Sequence, residues 1–136
     1  MLLIADTNIL IAALLKHSTT HHMIFSIDFD LYSPEHCKGE MIKYENELAK
    51  KMKKEVSDVR NAIELILSNV NIVPKDEYLV KEEEAKKICV THTNDWPFVA
   101  LALKMNAPVW TNDKAFFKHP EIKVLSTEDL IRILNK

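Results

Sequence analysis

The sequence predicts an α/β fold in which a parallel β-sheet is covered by helices on both of its faces. Short apolar runs, typical of buried strands, alternate along the chain with segments whose apolar residues recur at helical spacing. Strands that alternate with helices in this way form parallel sheets, because each helix returns the chain to the edge where the previous strand began. The five predicted strands are Leu2–Ala5, 31–33, Asn71–Val73, 108–111 and 122–125.

The segments between these runs carry the signals of helices. Pro97 stands in the first turn of one of them, where the missing amide proton is not needed. Ser126 and Asp129 have the spacing of a capping box and open the last helix. The predicted helices cover residues 9–14, 34–52, 56–70, 78–89 and 97–105, and the last one opens at 126.

Length and composition predict a single compact domain that spans residues 1–136. The chain has 136 residues, of which 47% are hydrophobic, which is enough for one core.

Cys37 and Cys89 are far apart and fit no metal spacing, so we expect buried, reduced thiols. No signal peptide or membrane-spanning segment is recognised, so the expected location is the cytoplasm. A formal charge of −2 counts mildly against a nucleic-acid binder, unless the acids are concentrated at one site.

Several classes of enzyme are excluded by missing residues. Gly39 is the only glycine, so neither a dinucleotide-binding loop nor a Walker phosphate loop can be built. A serine nucleophile lacks the glycine-flanked elbow on which it would stand. An aspartyl phosphatase would need a second aspartate two residues after the first, but that position is Asn8.

Three aspartates are predicted to meet at one edge of the sheet. Asp6 and Asp113 each follow an apolar run, and Asp95 precedes the helix that begins near Pro97. Singly, each of them has the ordinary explanation of a helix N-cap. Together, three carboxylates at one edge repel one another unless a cation compensates them or one stays protonated. An all-oxygen site suits Mg²⁺ or Mn²⁺, and the natural chemistry of such a site is phosphodiester hydrolysis.

The histidines are not expected to bind this metal. A polar loop predicted after the first helix contains His17, His21 and His22, whereas His36 and His92 are isolated in the sequence. None of them has the spacing of a metal-ligand pair on one helix. We expect these side chains at the surface or in turns.

Three segments resemble the motifs of PIN-domain ribonucleases, in order and across essentially the whole chain. They are Ala5-Asp6-Thr7-Asn8, the stretch from Asp95-Trp96-Pro97-Phe98 to Leu103, and Trp110-Thr111-Asn112-Asp113. The resemblance implies a three-layer α/β/α fold with a central five-stranded parallel sheet in the strand order 3-2-1-4-5. It also implies a fourth acid, a glutamate on the helix after the second strand.

Spacing alone does not choose this glutamate among Glu35, Glu40, Glu45 and Glu47. Resemblance to the segment that follows Ser-Pro-Glu in similar sequences favours Glu40. The metal-binding and catalytic acids implied by the family then fall on Asp6, Glu40, Asp95 and Asp113. The residues expected to orient carboxylates or to contact substrate are Asn8, Thr111 and Asn112.

One departure from the family pattern concerns the number of metal ions. Related sequences often carry a further acid just before the position of Asp95. Here the residues before Asp95 are His92, Thr93 and Asn94, none of which is an acid, so the sequence does not predict a second metal ion.

The activity implied by the resemblance is that of a Mg²⁺- or Mn²⁺-dependent endoribonuclease. Small PIN proteins of this size resemble VapC toxins, which dimerise and are silenced by an antitoxin, so the expected partners are RNA, an antitoxin and a second copy of the chain. A stand-alone nuclease in RNA processing fits equally well. Lys114 and Lys118 are expected to hold the phosphate backbone. The alternative is a catalytically silent PIN-fold module that binds RNA or protein.

Overall fold

The computed structural model describes residues 1–14, 18–90 and 93–135, and its centre is a five-stranded parallel sheet. The strand order is β3-β2-β1-β4-β5, so the predicted strand order and α/β/α class are confirmed. Strand β1 lies in the centre of the sheet, which is covered on both faces, and this explains why the sequence of β1 is a nearly continuous apolar run. The strands are β1 (Leu2–Ala5), β2 (Asp30–Pro34), β3 (Asn71–Val73), β4 (Val109–Trp110) and β5 (Val124–Leu125).

The helices of the described ranges follow the predicted alternation with the strands. The last helix begins with the predicted capping box, in which Ser126 accepts from the Asp129 N–H and Asp129 accepts from the Ser126 N–H. The helices are α1 (Thr7–Ala12), α2 (Thr19–Ile24), α3 (His36–Lys43), α4 (Glu45–Met52), α5 (Val56–Leu67), α6 (Lys75–Tyr78), α7 (Glu82–Ile88), α8 (Trp96–Met105) and α9 (Thr127–Leu134).

The predicted long helix over 34–52 is wrong in two respects. Pro34 is the last residue of β2, and the Glu35 N–H still donates to the carbonyl of Val73 on the neighbouring strand, which delays the start of the helix. The helical stretch is also broken at Tyr44, between α3 and α4. After this break the buried Glu45 carboxylate makes a two-pronged ion pair with Arg60 of α5. A single straight helix was predicted because this contact lies outside the local sequence.

The polar loop predicted after the first helix is also wrong in part. Residues Thr19–Ile24 form α2, and the Ser18 hydroxyl caps it by accepting from the His21 N–H at 3.0 Å. The His21 ring lies 2.7 Å from the carbonyl oxygen of Ala13, at the end of the preceding helix. His17 and His92 lie outside the described residues.

Helix α8 is buried on nearly all sides, although its sequence predicted a single apolar stripe. Residues 97 to 102 are all buried. One face of α8 packs on the strands of the sheet, and α7 covers another. A helix enclosed on two sides can be apolar all round. This enclosure fixes the helix firmly, and with it Asp95, the residue that precedes its first turn.

The two cysteines are free and buried, as the sequence predicts. Burial is the largest cause that raises the pKa of both Cys37 and Cys89, in each case to about 11, so both thiols stay protonated near neutral pH. Within the described ranges, no helix combines the length and the apolar character needed to cross a bilayer.

The capping box gives a direct test of the fold's last helix. Replacing Ser126 with alanine removes the acceptor for the Asp129 N–H, so we expect the free energy of unfolding to fall by about 1 kcal/mol. Urea denaturation followed by circular dichroism measures this change. Ser126→Thr keeps a hydroxyl and should stay close to the original stability. Equal stability of Ser126→Ala and the parent would contradict the capping role.

Candidate active site

The carboxyl edge of the sheet brings the ends of β1 and β4 together. Ala5 pairs with Trp110, and the Asp6 N–H donates to the Trp110 carbonyl at 3.1 Å, so the chain stays paired as it leaves β1. Helix α8 comes just before β4 and runs back along the sheet, which places its first residues at the same edge. Acids that follow β1 or precede α8 therefore face one region.

Thr111 connects Asp6 to the loop after β4. Its hydroxyl donates to Asp6 Oδ2 at 2.8 Å and accepts from the Asp113 N–H at 3.0 Å. Thr111 is fully buried and Asp6 is only 5% exposed. The bond therefore fixes the orientation of the Asp6 carboxylate, while Asp113 is tied to it through its backbone.

Glu40 reaches Asp6 through Thr7. The buried Thr7 hydroxyl, next to Asp6 in the chain, donates to Glu40 Oε1 at 2.6 Å. The three other candidate glutamates are engaged elsewhere. Glu35 accepts from the Lys75 N–H at 2.7 Å, Glu45 pairs with Arg60, and Glu47 lies 3.4 Å from the Lys51 ammonium. Of the four, Glu40 is thus the one held beside Asp6.

Asp95 completes a group of three carboxylates. It stands at the N-cap position of α8, and its side chain makes no capping hydrogen bond. After burial, the charge of Asp95 contributes to the raised pKa of Asp6. Its charge also contributes, after burial, to the raised pKa of Cys89.

The electrostatics of Asp6 reflect this crowding. Burial, together with the repulsion by Asp95 and Glu40, raises the pKa of Asp6 to about 6. Burial is the largest of these causes, and the Thr111 bond opposes it. Both side-chain charges that act on Asp6 are negative. The region therefore carries a surplus of negative charge that a proton or a cation would relieve.

The residues present fit a hard divalent cation in chemistry, and only in part in geometry. Carboxylate oxygens suit Mg²⁺ or Mn²⁺, and the surplus of charge around Asp6 favours a cation. Within residues 1–14, 18–90 and 93–135, however, no group of three or more His, Cys, Asp or Glu side chains is arranged to hold a metal ion directly. Asp113 is exposed, and its Oδ1 accepts from the Ala115 N–H at 3.0 Å. Metal binding would therefore require side chains to turn, or water to bridge them.

The three polar residues expected to support the acids differ in what they contact. Thr111 bonds Asp6 directly. Asn8 is exposed in the first turn of α1. Asn112 instead fastens the loop after β4 to α9, because its amide nitrogen donates to the Thr127 hydroxyl at 3.0 Å and its oxygen accepts from the Thr127 N–H at 2.9 Å.

Two residues near the acids were missed by sequence reasoning. Thr7 lies inside the Asp6-Thr7-Asn8 motif, but nothing local indicates that it would bond a glutamate on another helix. His36, expected simply at the surface, has its Nε2 atom 3.6 Å from Glu40 Oε1, and its ring meets Phe98 edge-on. The spacing of His36 and Glu40, four residues apart on one helix, was the available signal.

A five-stranded parallel sheet in this order, with acids gathered at its carboxyl edge, defines a class of α/β proteins with an acidic site beyond the strand ends. A family model described as "PIN domain" matches residues 4–132. The chain belongs to the PIN domain family. No curated protein matches the chain.

Solved structures of similar fold support this assignment. VapBC2 from Rickettsia felis, bound to a DNA fragment from its promoter, matches with 16% identity and a TM-score of 0.74, covering 93% of this chain and 98% of that one. VapBC-1 from nontypeable Haemophilus influenzae is 18% identical with a TM-score of 0.68, and the match covers 93% of this chain and 98% of that one. FitAcB from Neisseria gonorrhoeae is 19% identical with a TM-score of 0.69, and the match covers 92% of this chain and 96% of that one. At these identities the likeness concerns the fold.

The raised pKa of Asp6 predicts a pH dependence of stability in the metal-free protein. An aspartate whose pKa is raised in the folded state stabilises the fold fully below its unfolded value of 3.8, and this contribution is lost as the pH rises through about 6. We expect Asp6→Asn, which does not titrate, to be more stable than the parent at pH 8 by up to about 3 kcal/mol. The advantage should shrink towards pH 4.5.

Thermal unfolding in chelator at both pH values measures this difference. Asp113→Asn is the matched control, because the exposed Asp113 side chain pays no comparable burial cost. At pH 8 it should gain less stability than Asp6→Asn does. Parallel pH profiles for Asp6→Asn and the parent would show that Asp6 is not perturbed.

Proposed function

We propose that the chain is a Mg²⁺- or Mn²⁺-dependent endoribonuclease that hydrolyses RNA phosphodiester bonds. The observation that carries the proposal is the buried Asp6 carboxylate, oriented by Thr111 and repelled by Asp95 and Glu40. Keeping like charges together in a buried place costs stability, which a purely structural role does not explain. Membership of the PIN domain family supports the same reading.

The residues that would hold the ion are Asp6, Glu40, Asp95 and Asp113. When bound, a divalent ion polarises a phosphoryl oxygen and lowers the pKa of water, which is the chemistry that phosphodiester hydrolysis needs. Thr111 keeps the Asp6 carboxylate in a fixed orientation, in which it could hold a ligand. Thr7 does the same for Glu40. The cation favours the ionised form of Asp6, which burial alone disfavours.

The chain's contribution to RNA binding is electrostatic. Lys114 is exposed directly after Asp113, and Lys118 is exposed one turn further on. Both can pair with phosphates on either side of the bond that is cut, without reading the bases. Their positive charge would also offset the repulsion between RNA and the acids.

The biological setting that we favour is the toxin of a toxin–antitoxin pair. The similar solved structures carry the names VapBC and FitAcB. By that analogy the partners of this chain are a small antitoxin that silences it and a second copy that forms a homodimer. RNA cleavage and reduced thiols would place it in the cytoplasm. A stand-alone role in RNA processing uses the same site and lacks the antitoxin.

The second candidate is a catalytically silent PIN module that binds RNA or protein. It is favoured by one observation: in the described part of the chain, no three potential ligands are already arranged around a metal position. The buried and repelled Asp6 argues against it, since a binding surface gains nothing from clustered carboxylates that face phosphate. A cleavage assay separates the two candidates.

We expect labelled single-stranded RNA to be cut in Mg²⁺ or Mn²⁺ and left intact in excess chelator. Glu40→Gln removes a charge from the acidic group and should lower the rate at least about 100-fold, as for the loss of other electrostatic groups in active sites. Asp6→Asn, Asp95→Asn and Asp113→Asn should behave likewise. Initial rates on gels measure the effect.

Glu47→Gln is the matched control for the glutamate. It removes the same charge close by in sequence, from an exposed residue that pairs with Lys51. Its rate should match that of the parent. Cleavage that persists in chelator, or that is equal in Glu40→Gln and the parent, would overturn the metal mechanism. No cleavage by the parent with either ion would favour the silent module.

A further inference from the structure

A pocket of about 280 Å³ opens directly beside the acidic group, between α3 and the start of α8. Gly39 and Trp96 line it, and each is the immediate chain neighbour of a candidate acid, Glu40 and Asp95 respectively. His36, on the same wall, lies 3.6 Å from Glu40 Oε1. A ligand in this space, here called the Trp96 pocket, therefore reaches the edge where RNA would be cut.

The pocket offers an aromatic ring flanked by cations. Trp96 is half-buried and leans on the buried Tyr78, with 5.9 Å between ring centroids. The ammonium groups of Lys75 and Lys86 lie 5.9 and 5.2 Å from the centre of the Trp96 ring. Both lysines are exposed, but the Lys86 ammonium also donates to Glu82 Oε1 at 2.7 Å, so Lys75 is the better placed of the two to contact a phosphate. A ring for stacking beside an exposed cation is what unpaired nucleotides bind.

Gly39 keeps the pocket open. It is the only glycine of the chain and stands inside α3, where glycine is less favourable than alanine. It does not have a positive φ; the left-handed positions among the described residues are Lys53 and Asn106. A Cβ built on Gly39 would meet nothing within 4 Å. The fold therefore does not require glycine here, and the lack of a larger side chain at this position leaves the space of the pocket open.

The pocket wall carries one carboxylate, Glu35, and one ammonium, Lys75, so a base suits the side of Glu35 and a phosphate the side of Lys75. Glu35 lines the pocket, held by the hydrogen bond from the Lys75 N–H. Its carboxylate would repel a phosphate but can accept a hydrogen bond from a base N–H. From these contacts we infer that the Trp96 pocket binds one base of single-stranded RNA, stacked on Trp96, with the adjoining phosphate towards Lys75. This inference rests on the proposed nuclease function.

Binding can be measured without cleavage, in chelator, with a fluorescein-labelled oligoadenylate of five nucleotides. The only other tryptophan, Trp110, is fully buried, so quenching of intrinsic fluorescence by the unlabelled oligonucleotide reports on Trp96. We expect quenching in the parent and none in Trp96→Phe, whose affinity should stay within about threefold because a ring remains. Trp96→Leu should weaken binding, followed by anisotropy, about tenfold or more.

A graded pair at Gly39 tests the pocket without removing any contact. Gly39→Leu fills the space and should weaken binding about tenfold, whereas Gly39→Ala places one methyl group in open space and should bind within about threefold of the parent. Both substitutions favour the helix, so misfolding does not confuse the result.

Lys75→Met tests the phosphate contact. It should reduce the slope of log affinity against log salt concentration by the amount expected for about one phosphate contact.

The outcomes separate this subsite from the nuclease proposal. Binding without tryptophan quenching, with Trp96→Leu and Gly39→Leu as tight as the parent, would overturn the subsite even if the parent cuts RNA with metal. Tryptophan quenching in the parent, together with weaker RNA binding by Trp96→Leu and Gly39→Leu, would support the subsite even if the parent never cuts RNA. In the second case the nuclease proposal falls, and the pocket remains an RNA-binding site.

Discussion

The burial of the Asp6 carboxylate is the constraint on which the rest of the site depends. Asp6 follows the central strand β1, so it has structure on every side and is only 5% exposed. Thr111 reaches it from β4, and Thr7 holds Glu40 next to it. A carboxylate buried beside others is stabilised by a compensating proton or cation, which is why we propose that this charge serves to bind an ion.

The same two helices contribute to both the acidic group and the neighbouring pocket. Helix α3 supplies Glu40 and Gly39, and the start of α8 supplies Asp95 and Trp96. The sheet and α7 enclose α8, so its first turn is held on two sides, whereas Lys75 is exposed. The proposed catalytic site and the proposed base pocket therefore lie side by side on the same two helices.

The fold could be predicted largely from local signals, since the apolar runs and the capping box act within a few residues. The strand order came from the resemblance of three motifs. What sequence could not supply were contacts between distant elements. The choice of Glu40 depends on Thr7, the helix break at Tyr44 accompanies the ion pair with Arg60, and α2 needed the cap from Ser18. Thr7 and Glu40 are 33 residues apart in the sequence, and Glu45 and Arg60 are 15 residues apart. Ser18 adjoins its helix, but it lies in a polar stretch where the helical periodicity of apolar residues is weak.

The acids around Asp6 are proposed to bind a divalent cation. A crystal soaked in Mn²⁺ tests this proposal directly, because the anomalous scattering of manganese locates the ion without reference to activity. We expect a peak at the carboxyl edge of the sheet, beside the Asp6 carboxylate and within direct or water-bridged reach of Glu40. A peak only elsewhere, or none at saturating Mn²⁺ near neutral pH, would contradict it.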